Sequence, residues 1–91
     1  MKARLHLFVY GLVHGVFFRA NTQEKANNLG LTGWVKNLND GSVELTAEGD
    51  KEKLEELLEF CNKGPESARV DSVKKEWKEY KGEFKNFEVR R

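Results

Sequence analysis

Two short stretches of this sequence hold residue types from which an anion-handling site can be built. The first is Gly11-Leu12-Val13-His14-Gly15-Val16-Phe17-Phe18-Arg19. Consecutive backbone N–H groups in a turn of this kind converge on one anion. A helix start directly after the turn adds unpaired donors and the positive end of the helix dipole. Gly15 permits a turn conformation that a Cβ penalises. Arg19, at the helix entrance, supplies a fixed charge and a planar fork matched to phosphate oxygens. The Gly-Lys-Ser/Thr ending of a Walker loop is absent, so this is not a Walker loop. The second stretch runs from Gly33 to Gly49 and contains Asn37. Asn39-Asp40-Gly41 already provides a turn with its own residues. A neutral amide is no strong base, but it holds a water by hydrogen bonding.

These residues need a scaffold, and hydrophobic periodicity supplies its outline. Leu5, Leu7 and Val9 alternate with Arg4, His6, Phe8 and Tyr10, which predicts a strand over about Ala3–Tyr10 with one aliphatic face. The Gly-containing loop follows, then a helix over about Arg19–Leu29 with Thr22, Ala26 and Leu29 as a thin inner stripe. Gly30 stands where a helix end calls for positive φ. A strand over about Thr32–Leu38, the turn, and a strand over Ser42–Glu48 read as a hairpin. Asp50 is the expected N-cap of a second helix. Its buried face is Leu54, Leu57, Leu58 and Cys61, and Gly64-Pro65 ends it. A fourth strand covers about Ala68–Trp77. Val70 and Val73 are out of phase there, which predicts a bulge or twist and leaves room for a split in the segment. Lys78–Glu83 reads as a polar turn, and Phe84, Phe87 and Val89 belong to a last strand. The order β-α-β-β-α-β predicts an α+β, ferredoxin-like sandwich: a mainly antiparallel sheet with both helices on one face. The terminal strands are expected near the sheet edges.

Composition narrows the function classes. The 91 residues suit one domain, expected to span 1–91. Hydrophobic residues make up 38% and aromatics 11%, enough for a packed core. A net charge of +1 gives no global electrostatic case for nucleic acid or an anionic membrane. Cys61 is the only cysteine, so no intramolecular disulfide forms. No segment is long and apolar enough for a signal peptide or a bilayer span, and the expected location is the cytoplasm. No His/Cys/Asp/Glu cluster has metal-ligand spacing, so no metal and no cofactor are expected. A monomer is expected, with no apolar stripe left over for an interface.

Together the two stretches closely resemble the signatures of the acylphosphatase family. The first has the form Gly-x-Val-Gln-Gly-Val-x-Phe-Arg, met here except that His14 stands in place of Gln. The second is Gly-aromatic-small-basic-Asn, three residues, Gly-x-Val, five residues, Gly, and every defining position is met. The resemblance extends over essentially the whole chain, including Gly64-Pro65, Trp77 and Phe87. It implies metal-independent hydrolysis of the carboxyl–phosphate bond of a small acyl phosphate. Val13, His14, Gly15, Val16, Phe17, Phe18 and Arg19 would bind the phosphoryl group, or phosphate- and sulfate-like anions. Arg19 would stabilise its charge and Asn37 would position the attacking water. The carboxylate leaving group is a weak base, so no strong general acid is needed, and positioning with charge stabilisation suffices. His14 is expected to leave the activity intact and to add pH dependence between about pH 5 and 8.

Two rivals stand beside this reading. A non-catalytic acylphosphatase-like binding or regulatory module would have the same fold; retention of both Arg19 and Asn37 argues for the enzyme. An RNA-binding module of the same element order would need aromatics on its central strands. Ser42–Glu48 has none and carries two acidic residues.

Overall fold

The computed structural model describes all residues, Met1–Arg91. Alternation builds the centre of the sheet. β1 (Lys2–Leu12) pairs antiparallel with β3 (Val43–Asp50), setting Leu5 opposite Ala47, Leu7 opposite Leu45 and Val9 opposite Val43. Because side chains alternate, all six point to one face, and all are fully buried there. β2 (Thr32–Asn37) flanks β3, and β4 (Arg69–Lys78) flanks β1, both antiparallel. The short β5 (Phe87–Arg90) adds to β2 in parallel, giving the order β4-β1-β3-β2-β5.

Two helices cover the aliphatic face. α1 (Phe18–Asn28) buries Phe18, Thr22 and Ala26. It ends in a Schellman arrangement: the Gly30 N–H donates to Asn27 O and the Leu31 N–H to Ala26 O, with Gly30 at φ 71° as expected. α2 (Lys51–Lys63) buries Leu54, Leu57 and Cys61. Burial pushes the Cys61 thiol up to about 12, against a small opposing effect of the Thr22 hydroxyl, so it is an inert core group. No helix is long and apolar enough to cross a membrane.

Several expectations need correction. The fourth strand is not split: it continues through a bulge in which Asp71 is the extra residue between the pairs Tyr10–Ser72 and Gly11–Val70. The bulge accounts for the phase of Val70 and Val73, and Gly11 is required opposite it, since a Cβ there would lie 2.1 Å from Arg69 O. The first strand is not at an edge but inside the sheet, while β5 forms the edge beyond β2. Phe84 lies outside β5, and its ring instead packs beneath the Arg4 guanidinium. Asp50 holds the N-cap position with extended backbone, yet its side chain makes no cap hydrogen bond.

On the uncovered sheet face, Glu48 is fully buried. Its carboxylate accepts from the Arg4 guanidinium at 3.3 Å, from the Lys81 N–H at 2.7 Å and from the Glu83 N–H at 3.3 Å. Arg4 also pairs with Glu83. One carboxylate thus fastens the segment between β4 and β5 to the sheet. Removing one partner of such a buried pair costs several kcal/mol because the other charge stays desolvated. Glu48→Ala is expected to lower the unfolding free energy by about 3 kcal/mol in urea titrations. It should also deprotect the Lys81 and Glu83 amides in hydrogen exchange.

Candidate active site

The loop between β1 and α1 is held at both ends by buried apolar side chains, Val13 and Phe18. The Phe18 ring packs against Phe60 of α2, with centroids 6.5 Å apart. From outside, the Ser67 hydroxyl donates to Val16 O at 3.0 Å. Between the anchors the backbone turns twice into the left-handed region, at Gly15 (φ 70°) and Phe17 (φ 61°). A Cβ at Gly15 would meet nothing within 4 Å, so its glycine answers to conformation and not to space.

Phe17 is the N-cap residue of α1, and no side chain caps the helix. The first N–H with a helical partner is that of Asn21, which donates to Phe17 O. The amides of Phe18, Arg19 and Ala20 therefore form an unpaired, dipole-assisted donor set at the helix start. Arg19 extends beside them, and its NH1 donates to Arg90 O of β5 at 3.3 Å. Gln23, one turn further along α1, donates to Phe87 O at 3.0 Å. The last strand thereby sets the position of the helix and of its guanidinium.

Asn37 arrives from the other side. It is the last residue of β2, and alternation puts it on the same face as Val35, toward the helices. Val13, Gly15, Phe17, Phe18, Arg19, Ala20, Asn37 and Val89 together line a cleft of about 290 Å³. Asn37 Oδ1 is buried and has no hydrogen-bond partner. A larger depression of about 400 Å³ lies at the start of α2, but its lining of Met1, Asp50, Lys51, Glu52, Lys53 and Glu55 mixes both charges and offers an anion no convergent set of donors.

Five of the seven expected loop residues line the cleft: Val13, Gly15, Phe17, Phe18 and Arg19. The other two direct their side chains elsewhere. Val16 packs against the core. The His14 ring crosses to the hairpin, with Nε2 2.8 Å from Ser42 O. A carbonyl has no hydrogen to give, so Nε2 is the donor, and it carries a hydrogen in the imidazolium as well. The contact therefore needs no change of protonation. Sequence reasoning missed Ala20 and Val89 as cleft residues. It also missed Arg90, whose contribution is a backbone carbonyl and leaves no mark in residue type.

A family model described as acylphosphatase matches residues 5–89. The chain belongs to the acylphosphatase family. It is 47% identical over 88 residues to the acylphosphatase of Pelotomaculum thermopropionicum, covering 97% of this chain and 96% of that one. It is 48% identical over 89 residues to that of Caldanaerobacter subterraneus, covering 98% and 99%. Among solved structures, the acylphosphatase from Coxiella burnetii superposes with a TM-score of 0.92 at 42% identity, covering 98% of this chain and 93% of that one. The Bacillus subtilis acylphosphatase superposes at 0.93 and 31% identity, each chain covered completely. The ferredoxin-like fold is thereby established, and the protein is a hydrolase of acid anhydrides that acts on small acyl phosphates.

The turn behind Asn37 has its own electrostatics. Asp40 Oδ1 accepts from the Ser42 hydroxyl at 2.5 Å and from the Ser42 N–H at 2.9 Å. These two bonds, with a smaller contribution from the charge of His14, hold the Asp40 carboxyl below its ordinary 3.8. A depressed folded-state pKa stabilises the fold above the unfolded value, and that contribution disappears as pH falls through the folded value. Ser42→Ala removes the hydroxyl donor and keeps the N–H. It is expected to move the Asp40 titration back toward 3.8, as read from carboxyl carbon shifts in NMR.

Proposed function

We propose that Arg19 and Asn37 are the catalytic residues of this acylphosphatase, and that the Val13–Arg19 loop binds the phosphoryl group of the substrate. The observation that carries the reading is the buried, unpartnered Oδ1 of Asn37 in the cleft that Arg19 also lines. A buried acceptor without a partner is costly and calls for an explanation. A water bound in the cleft provides one, donating a hydrogen to Oδ1 and turning a lone pair toward phosphorus.

Arg19 and the uncapped amides at the start of α1 are suited to the equatorial phosphoryl oxygens, where negative charge is spread in the transition state. The Asn37-held water attacks phosphorus in line. The bond from phosphorus to the acyl oxygen breaks, its electron pair leaves with the carboxylate, and the water's protons pass to phosphate and solvent. The leaving group needs no protonation, so no general acid is required; direct attack by water forms no covalent enzyme intermediate, and the family resemblance implies a metal-independent reaction. Free phosphate or sulfate would occupy the same donors and inhibit competitively.

The reading includes a single catalytic domain over 1–91, acting as a monomer in the cytoplasm. The edge strands support the monomer: β4 exposes Arg69, Asp71, Lys74, Lys75, Glu76 and Lys78, and β5 exposes Glu88 and Arg90. Charges along an edge discourage pairing with a second sheet.

Benzoyl phosphate hydrolysis in buffer containing a chelator tests this directly. The wild type is expected to keep its full rate. Asn37→Ala should lose roughly 100- to 1000-fold in kcat, the usual effect of removing one preorganised hydrogen-bonding group. Arg19→Ala should lower kcat and also weaken inhibition by phosphate. A folded Asn37→Ala enzyme with nearly wild-type turnover would remove Asn37 from the mechanism.

A further inference from the structure

Ser42 O is the one atom that both halves of the site share. It accepts the Leu38 N–H at 2.8 Å and the His14 Nε2–H at 2.8 Å. The Leu38 nitrogen belongs to the peptide group that leaves Asn37, so the first bond fixes the backbone immediately after the water-holding side chain. The second bond comes from the middle of the phosphate loop, between Val13 and Gly15, both of which line the cleft. Ser42 itself is held by Asp40 through its N–H and its hydroxyl, and it is almost completely buried. The acceptor is therefore a rigid one.

We infer that His14 is a positioning residue: its Nε2–H, donated to Ser42 O, sets the distance between the phosphate loop and Asn37. The inference rests on the reading of Asn37 and the loop given above. In-line attack requires water and phosphorus at about 3–3.5 Å with aligned orbitals, and a displacement of about 1 Å costs roughly 100-fold. The loop and Asn37 come from strands that are not neighbours in the sheet, so no ladder bond joins them. The hydrogen bond from His14 crosses that gap. The family signature has Gln at this position, and Gln also ends in an N–H donor. The exchange for His thus keeps the one property that the contact uses, and the His14 ring takes no part in the cleft lining.

His14→Phe keeps a ring and removes the donor, whereas His14→Gln restores a donor on a different frame. The inference predicts that folded His14→Phe loses roughly 10- to 100-fold in kcat. Competitive inhibition by inorganic phosphate should change by less than about threefold, because the loop amides and Arg19 remain. His14→Gln should recover most of the lost turnover. In the wild type, long-range ¹H–¹⁵N spectra of the ring should find the hydrogen on Nε2 in the neutral form. Folded His14→Phe with kcat within about twofold of wild type overturns the inference, as does a neutral ring protonated on Nδ1. If His14→Phe does not fold, the His14→Gln rate and the ring spectrum decide. Arg19→Ala and Asn37→Ala are run alongside. Full activity in those two would mean that the site reading itself has failed; large losses there with an unaffected His14→Phe would sink the positioning role alone.

Discussion

Val9 and Asn37 both pair with Val43, one from each side of β3. That shared partner is the constraint on which the site depends. β1 and β2 each run antiparallel to β3, so they run parallel to each other, and their C-terminal ends emerge at the same end of the sheet. The loop that follows β1 and the last residue of β2 are brought to the same end of the sheet for this reason. The register that brings them together is set by Leu5, Leu7 and Val9 against Ala47, Leu45 and Val43. A slip of one residue would turn that aliphatic set to the other face, away from the helices. Core packing therefore fixes the site: the burial that stabilises the sheet also decides which side chains meet at its end.

The loop holds a costly conformation on that foundation. Phe17 is the one residue other than glycine with positive φ, and its side chain is 78% exposed, so it gains little from packing. A left-handed residue with a Cβ costs about 1–2 kcal/mol. The flanking Val13 and Phe18 are each about 1% exposed, and full burial of two such side chains contributes about 3–6 kcal/mol. The anchors outweigh the strain. What the strained turn provides is a helix start without a side-chain cap, its N–H groups open toward the cleft. A Ser or Asp at that position would stabilise the helix and occupy a donor.

Much of this was legible in the sequence, because burial writes period-two and period-3.6 patterns into residue type. The alternation in β1, the Asn39-Asp40-Gly41 turn, the inner face of α2 and the phase break at Val70 and Val73 each became the expected feature. Both signature stretches are brought to one cleft. What escaped the reading leaves no residue-type signal. A last strand was expected, but its four residues are too few to show its limits or its parallel place beside β2, which depends on tertiary packing that buries Phe87. Arg90 and Ser42 act through backbone carbonyls, which every residue possesses. His14 was identified as a loop residue, but the direction of its ring depends on where the hairpin ends, a tertiary fact. Asp50 shows the converse: its type and position fit a cap, yet the N-terminal backbone crosses there, with the Lys51 N–H donating to Met1 O.

Two polar side chains at opposite ends of the sheet, Glu48 fully buried and Asn37 with a buried oxygen, show how stability and chemistry divide this small fold. Glu48 and the Val43 end of β3 are five residues apart, roughly 17 Å along an extended strand. Glu48 has Arg4 and two backbone amides, so its buried charge is satisfied and closes the far end of the open face. Asn37 Oδ1 is unsatisfied; the only other such buried side-chain atom is Thr22 Oγ1, which faces the thiol of Cys61. A domain of this size has few kcal/mol to spare, and an acceptor with no protein partner costs about 1–3 of them unless a water or ligand in the cleft supplies the hydrogen. The end of the sheet that carries this cost is also the end with the uncapped helix and the left-handed turns. A left-handed residue with a Cβ and an unsatisfied buried acceptor come together in one cleft, beside a helix start that no side chain caps. Such clustering is expected where donors and acceptors stay available to a ligand, and it supports the proposed site without reference to any signature in the sequence.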